Sequence, residues 1–292
     1  MRSALYLKAY LIGVICFTLT LEAQNDALSQ WYGSTGKKTD FSKVLKSCQE
    51  ADIVLFGELH NNAVAHWYQL QVFRGLYTQY PGKVKLGMEM LETHQQAAVD
   101  SFLRGLLSSE TFLKSHNFWP NHKTDYQPLL EDALKKSIPV IATNVPRKYA
   151  RLVSKAGMQG LDTLNANDKR LLCPLPYAVD TTLNCYRNLL SMGHGSQASG
   201  YQFASAQALK DATMAYFILQ NFTEGEKFLH LNGAYHSDYF ESIVWYLKKE
   251  KPNLKVVVLS TNETEGLKAP NLNERKKGNF ILVTDPDSPK SY

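Results

Sequence analysis

The chain lacks the signatures of several large enzyme classes. No G-x-G-x-x-G follows an apolar run, no G-K-S or G-K-T closes a glycine loop, and no G-x-S-x-G is present. Dinucleotide enzymes, P-loop nucleotide hydrolases and ordinary serine hydrolases are therefore disfavoured. Cysteine is scarce, with 4 in 292 residues. No C-x-x-C or Cys/His zinc spacing occurs, and past Cys16 only Cys48, Cys173 and Cys185 remain, an odd number that excludes a full disulfide framework. Cys173 and Cys185 either pair in an oxidising compartment or stay as thiols. No internal repeat is evident, and no dense basic patch with interleaved aromatics appears. The net charge of +5 is too small to indicate nucleic acid as a partner.

What is present begins with an N-terminal leader. Arg2 and Lys8 precede an apolar run from Ala9 to Thr18, and Leu21-Glu22-Ala23 offers a small residue before Gln24. This is the pattern of a secretory signal peptide over residues 1–23. The run is short for a bilayer-spanning helix, and no later segment is long and apolar enough to cross a membrane. Ile15 stands before Cys16, where lipoprotein processing prefers a small residue. Removing residues 1–23 lowers the net charge from +5 to +4, a weakly basic balance that suits anionic ligands.

Hydrophobic residues make up 44% of the sequence and charged residues 20%, ordinary values for a packed core. Residues 24–45 read as a polar lead-in. Asp52–Gly57 is a short apolar run ending in glycine, and so a buried strand. From Val64 to Tyr80 apolar residues recur at helical spacing until Pro81-Gly82. The unit then repeats. Val84–Met90 reads as a strand, and Thr93 with Gln96 as a capping box opening a helix. A helix near 128–136, a strand at 138–142 and a helix after Pro146 follow. Later come a helix from Phe203 to Leu219, a strand from Lys227 to Leu231, a helix from Ser237 to Lys249, and strands at 254–259 and 280–284. Strands alternating with helices predict an α/β fold, with a mainly parallel central sheet and helices on both faces. Residues 45–285 read as one such domain. Residues 155–200 fit the rhythm poorly and are expected to be a helical insertion. The tail after Asn262 reads as polar and mobile.

In an open parallel sheet ligands bind beyond the carboxyl ends of the strands. Glu58 and His60 close the first strand, Glu89 lies near the end of the second, Asn144 and Arg147 follow the third, and His236 follows a later one. Glu58, His60, Glu89 and His236 are oxygen and nitrogen donors that a divalent metal accepts, or a general acid/base set; alternatively they bond one another and hold the loops. Gln207, Asp211 and Met214 share a helix face, from which the polar pair can orient a histidine, or they form an ordinary solvated face. In the insertion, Tyr177, Tyr186, His194 and Tyr201 are candidates to hold a cofactor, because tyrosinate and imidazole ligate ferric haem; each tyrosine can equally be packing. Trp67, Tyr68 and Trp119 can wall a porphyrin, although Trp67 reads more simply as core.

Taken in order, Phe56-Gly57-Glu58-Leu59-His60, Gly87-Met88-Glu89-Met90, Asn144-Val145-Pro146-Arg147, Gly193-His194, Ala206-Gln207 with Asp211-Ala212 and Met214-Ala215, and Gly233-Ala234-Tyr235-His236-Ser237-Asp238 resemble the motifs of the ChaN-like haem-binding uptake family, within the Tiki, TraB and erythromycin esterase superfamily. The resemblance spans roughly residues 45–260. It implies an exported, iron-linked protein that binds haem, with a tyrosine on iron and haem held between two copies of the chain. It further implies a periplasmic or outer-membrane-associated location in a Gram-negative cell, with peripheral membrane association. The alternative is a metal-dependent hydrolase, in which Glu58 or Glu89 is the base and His60 and His236 hold a divalent metal or carry protons.

Overall fold

A computed structural model describes residues 27–191 and 197–292. The expected signal peptide and His194 lie outside the described residues. The elements in chain order are β1 (Ser29–Gly33), β2 (Lys38–Thr39), α1 (Phe41–Glu50), β3 (Ile53–Glu58), α2 (Ala63–Gln79), β4 (Val84–Glu92), α3 (Gln96–Leu103), α4 (Ser109–Ser115), α5 (Gln127–Lys136), β5 (Val140–Asn144), α6 (Arg147–Ala156), α7 (Ala166–Lys169), α8 (Asn184–Leu190), α9 (Gln197–Asn221), β6 (Lys227–Gly233), α10 (Ile243–Glu250), β7 (Val256–Glu263) and β8 (Phe280–Thr284).

Among the described residues eight strands form one sheet in the order β2-β1-β8-β7-β3-β6-β4-β5. The run from β8 to β5 is parallel, and β1 and β2 add an antiparallel edge. All six residues of β3 are buried, because this central strand is covered on both faces. Its side chains alternate. Val54 and Phe56 pack under α1, α2, α3 and α5 with Phe73, Leu76, Met88 and Leu129. Ile53 and Leu55 face α6, α8, α9 and α10 with Val153, Tyr186, Leu209 and Leu247. A fully buried side chain of this size contributes about 1.5–3 kcal/mol, so these two layers hold the sheet rigid beneath its carboxyl edge. From β3 the chain runs outward to β4 and β5, returns to insert β6, then crosses to β7 and β8. The reversal of winding leaves a crevice over β3 and β6.

Several elements differ from the sequence expectation. The polar lead-in contains β1, whose Trp31 and Tyr32 are buried against β8, and it runs directly into α1. The helix expected from Ser237 begins only at Ile243, because Tyr239, Phe240 and Ser242 adopt positive φ and break it. The capping box pairs Glu92 with Gln95 rather than Thr93 with Gln96; the Thr93 hydroxyl instead donates to the Leu171 carbonyl at 2.8 Å. Residues 155–191 contain α7, α8 and a 3-10 segment at Met158–Thr163, with Leu161, Leu172 and Tyr186 buried against the α9 face. Cys173 and Cys185 are buried free thiols, not a disulfide. Trp67 is exposed rather than core, with its ring edge on Tyr68. The tail after Asn262 is ordered: it supplies β8 and then bonds to the loop after β3. Among the described residues no helix is long and apolar enough to cross a membrane.

Candidate functional site

Two glycines bring the strand ends together. A Cβ on Gly57 would lie 2.9 Å from Ala234 Cα, and one on Gly233 would lie 2.7 Å from His60 Cε1. Only a bare backbone admits these approaches. Glu89 arrives from within β4, where the pairing with β5 shifts register between Met88 and Glu92. Such an irregularity re-aims side chains, which accounts for a carboxylate turning into the crevice from a largely buried strand.

Glu58, His60, Glu89 and His236 gather at this point. The Glu58 carboxylate, 1% exposed, sits 2.9 Å from His60 Nδ1 and accepts from Gln69 Nε2 at 2.6 Å and from the Tyr126 hydroxyl at 2.5 Å. Glu89 accepts the Gly233 N–H at 2.7 Å and faces His236 Nε2 at 3.1 Å. The other ring nitrogen of His236 lies 2.5 Å from Asp211, which also accepts from the Tyr186 hydroxyl at 2.8 Å. The Gln207 amide nitrogen lies 3.2 Å from the same imidazole. Gln207 and Asp211 thus reach His236 from one face of α9, while Met214 is buried.

The charges follow from these partners. Burial opposes a proton on His236, but Glu89 and Asp211 outweigh it and raise its pKa to about 10. Burial likewise opposes ionisation of Glu89, yet His236, His60 and the Gly233 N–H hold it well below the usual carboxylate range. His60 is raised, desolvation being outweighed by Glu58 and Glu89. Below the cluster, His230 is fully buried beside Thr143 and Asn232, and burial depresses it to about 4. His230 is therefore a neutral post under the site, and His236 an imidazolium between two carboxylates.

These donors pair with one another. Among the described residues no group of three or more His, Cys, Asp or Glu side chains is placed to hold a metal ion. The divalent-metal arrangement expected for Glu58, His60, Glu89 and His236 does not form. Two cavities flank the cluster. One, about 550 Å³, is lined by Met90, His94, His116 and Trp119, with the Trp119 ring 4.7 Å from that of His60. The other, about 670 Å³, lies between α6 and α9 and includes Gln207. Arg147 lines both, whereas Asn144 has a buried side-chain oxygen without a hydrogen-bond partner among the described residues.

The candidate tyrosines part company. Tyr177 is buried and donates to the Ser205 carbonyl at 2.9 Å; Tyr186 is buried on Asp211. Burial pushes both phenols well above their ordinary pKa, away from the phenolate an iron ligand must be. Tyr201, near the start of α9, is 41% exposed. The sequence reading missed Gln69 and Tyr126, which hold Glu58, and Asn121, whose amide donates to the His60 carbonyl at 2.8 Å while His66 Nε2 lies 3.1 Å from the same oxygen. Of these only Gln69 had a local signal, its place three residues after His66 on the buried face of α2.

A family model described as "Haem-binding uptake, Tiki superfamily, ChaN" matches residues 44–247. No curated protein matches the sequence significantly. Among solved structures, ChaN of Campylobacter jejuni, described with cofacial heme binding, superposes with a TM-score of 0.67 at 18% identity over 88% of this chain and 97% of that one. A Bacillus cereus protein gives 0.53 at 10% identity, covering 86% and 92%, and a succinoglycan biosynthesis protein 0.51 at 12%, covering 86% and 91%. At these identities the structural likeness concerns the fold.

Proposed function

The chain belongs to the haem-binding uptake family of the Tiki superfamily, the ChaN family, and from that premise we propose that it binds ferric haem through the Tyr201 phenolate as an exported iron-uptake protein. The exposure of Tyr201 carries the choice of ligand. Of the three candidate tyrosines it alone presents its ring to solvent, while Tyr177 and Tyr186 are committed to partners within the fold. Phe203, 42% exposed two residues on, adds apolar surface near the start of the same helix. A flat ligand on so open a surface keeps one face in water unless a second copy covers it, which supports a haem-bridged homodimer. Export rests on the N-terminal leader pattern, and a periplasmic or outer-membrane-associated place follows from it in a Gram-negative cell.

Titration of the mature protein with hemin tests this reading. Bound ferric haem on a tyrosinate should give a shifted Soret band with a high-spin charge-transfer band. Tyr201→Phe should abolish that signature and weaken binding by about tenfold or more, whereas Tyr177→Phe and Tyr186→Phe should keep it. A hemin spectrum unchanged by wild-type protein would overturn haem binding. A wild-type spectrum in Tyr201→Phe would overturn the ligand.

A further inference from the structure

The cavity walled by Trp119 holds two histidines that the strand-end site does not use. His94 stands in the 3-10 turn Thr93–Gln95 that follows β4, and His116 directly follows α4. The packing of α3 against α4 brings the two imidazoles together, with ring centroids 5.8 Å apart and planes at 58°. In each ring Nδ1 has a neighbour. The Glu92 carboxylate lies 3.3 Å from that of His94, and the Ser115 hydroxyl 2.9 Å from that of His116. Among the described residues no protein group bonds either Nε2. Glu92 is itself fixed, because its carboxylate accepts the Gln95 N–H in the capping box. The His94 side chain is 42% exposed, so the pair is open to solutes. Burial and the neighbouring His94 together lower the pKa of His116, against the pull of Glu92, and favour its neutral ring.

We infer that His94 and His116 form a two-imidazole site for a borderline divalent cation, Cu2+ ahead of Zn2+, with its remaining coordination positions open to water in the cavity. An imidazole nitrogen takes such an ion at about 2.0–2.1 Å, which sets the ion about 3 Å from the ring centroid, so two rings sharing it stand up to about 6 Å apart. The spacing of 5.8 Å falls within that reach. A metal-binding histidine commonly gives its other ring nitrogen to a carboxylate or another oxygen, which fixes the tautomer and ring orientation. Glu92 and Ser115 are placed to do this, and each leaves Nε2 as the donor. Glu92 thus orients one ligand rather than supplying a third, so the site is a pair and not a three-donor set. Arg147 lines the same cavity, and the charge of Glu92 offsets it. Tyr201 lies outside this lining, and the inference does not depend on the haem reading.

Titration of tag-free, haem-free mature protein with Cu2+ and with Zn2+ tests the site. Expected are one equivalent of bound Cu2+, with nitrogen hyperfine splitting from two imidazoles in its electron paramagnetic resonance spectrum, and weaker binding of Zn2+ at the same place. His94→Gln and His116→Gln should each leave a single imidazole on the copper and weaken binding by about tenfold or more. Glu92→Gln should weaken binding while keeping both nitrogens in the spectrum, as an orienting residue does. Long-range proton–nitrogen NMR of the wild type makes the outcome independent of how the variants fold: on adding Zn2+ the Nε2 resonances of His94 and His116 should move, and those of His60 and His236 should stay. A wild type that takes up neither ion, a double variant H94Q/H116Q that keeps the copper spectrum, or zinc shifts confined to His60 and His236 would each overturn the site. None of these outcomes bears on haem binding, which the hemin titration decides by itself.

Discussion

His236 is held by carboxylates from two distant elements, Glu89 on β4 and Asp211 on α9, and its protonation is therefore tied to the folded state. Its folded pKa of about 10 lies above the value of 6.5 for a free histidine. The stability it contributes is complete below pH 6.5 and is lost as the pH rises through 10. Glu89, depressed, contributes above its ordinary value of 4.5 and loses that contribution in acid. Urea midpoints of wild type should thus fall between pH 6.5 and 10 more steeply than those of His236→Gln. The variant should itself be less stable at pH 6 by about 3–5 kcal/mol, because it leaves two buried carboxylates short of a partner. Parallel midpoint curves for the two proteins would refute the assignment. At this scale the sequence was legible where chemistry and strand ends coincide. Glu58, His60, Glu89 and His236 could be read because each ends or follows an apolar run, and Gln207 and Asp211 because they share a helix face. Tyr126 and Asn121 could not. They come from the irregular stretch before α5 and meet the site only through long-range packing.

Elements show the same division. Strands covered on both faces are mostly apolar runs, so β3, β4, β6 and β8 stand near where the sequence puts them. The missed strand β1 is short and carries Ser29 and Gln30, and its Trp31 and Tyr32 become strand residues only through pairing with β8, some 250 positions away. The segment from Tyr239 to Ser242 has helix-compatible composition, and only the tertiary fold forces its positive φ angles. Within β4, Gly87 is a packing requirement: a Cβ there would lie 2.6 Å from the Phe228 ring and 2.8 Å from His230 Cδ2. Gly87→Ala should cost about 1–3 kcal/mol by overpacking and displace His230, read as a lower urea midpoint and a shifted His230 imidazole resonance. An alanine variant as stable as wild type would show that β4 and β6 have slack that the structure does not display.

Over the whole molecule, the C-terminal segment closes a circuit. Lys290 bridges to Asn62 in antiparallel fashion and pairs with Glu263, the Ser291 N–H donates to the Asn61 carbonyl at 2.9 Å, and the Ala63 N–H donates to the Pro289 carbonyl at 3.3 Å. These bonds clasp the loop that carries His60 from β3 into α2. Truncation after Asp285 should speed amide exchange at Ala63 and Asn62 by about tenfold or more and leave β3 and β6 protected. Unchanged exchange in the loop would mean that α2 alone fixes it. The tail read as mobile because its composition is polar, and the long-range bonds that order it leave no local pattern in the sequence.

The order of the strands has a consequence for how the protein matures. Among the described strands β8 comes last in the chain, yet it lies between β7 and β1, so the hairpin of β1 and β2 has no seat on the sheet until β8 has been made. Trp31 and Tyr32 therefore stay wet until that point, and a nascent chain halted before Phe280 should remain open to proteases at its N-terminal segment.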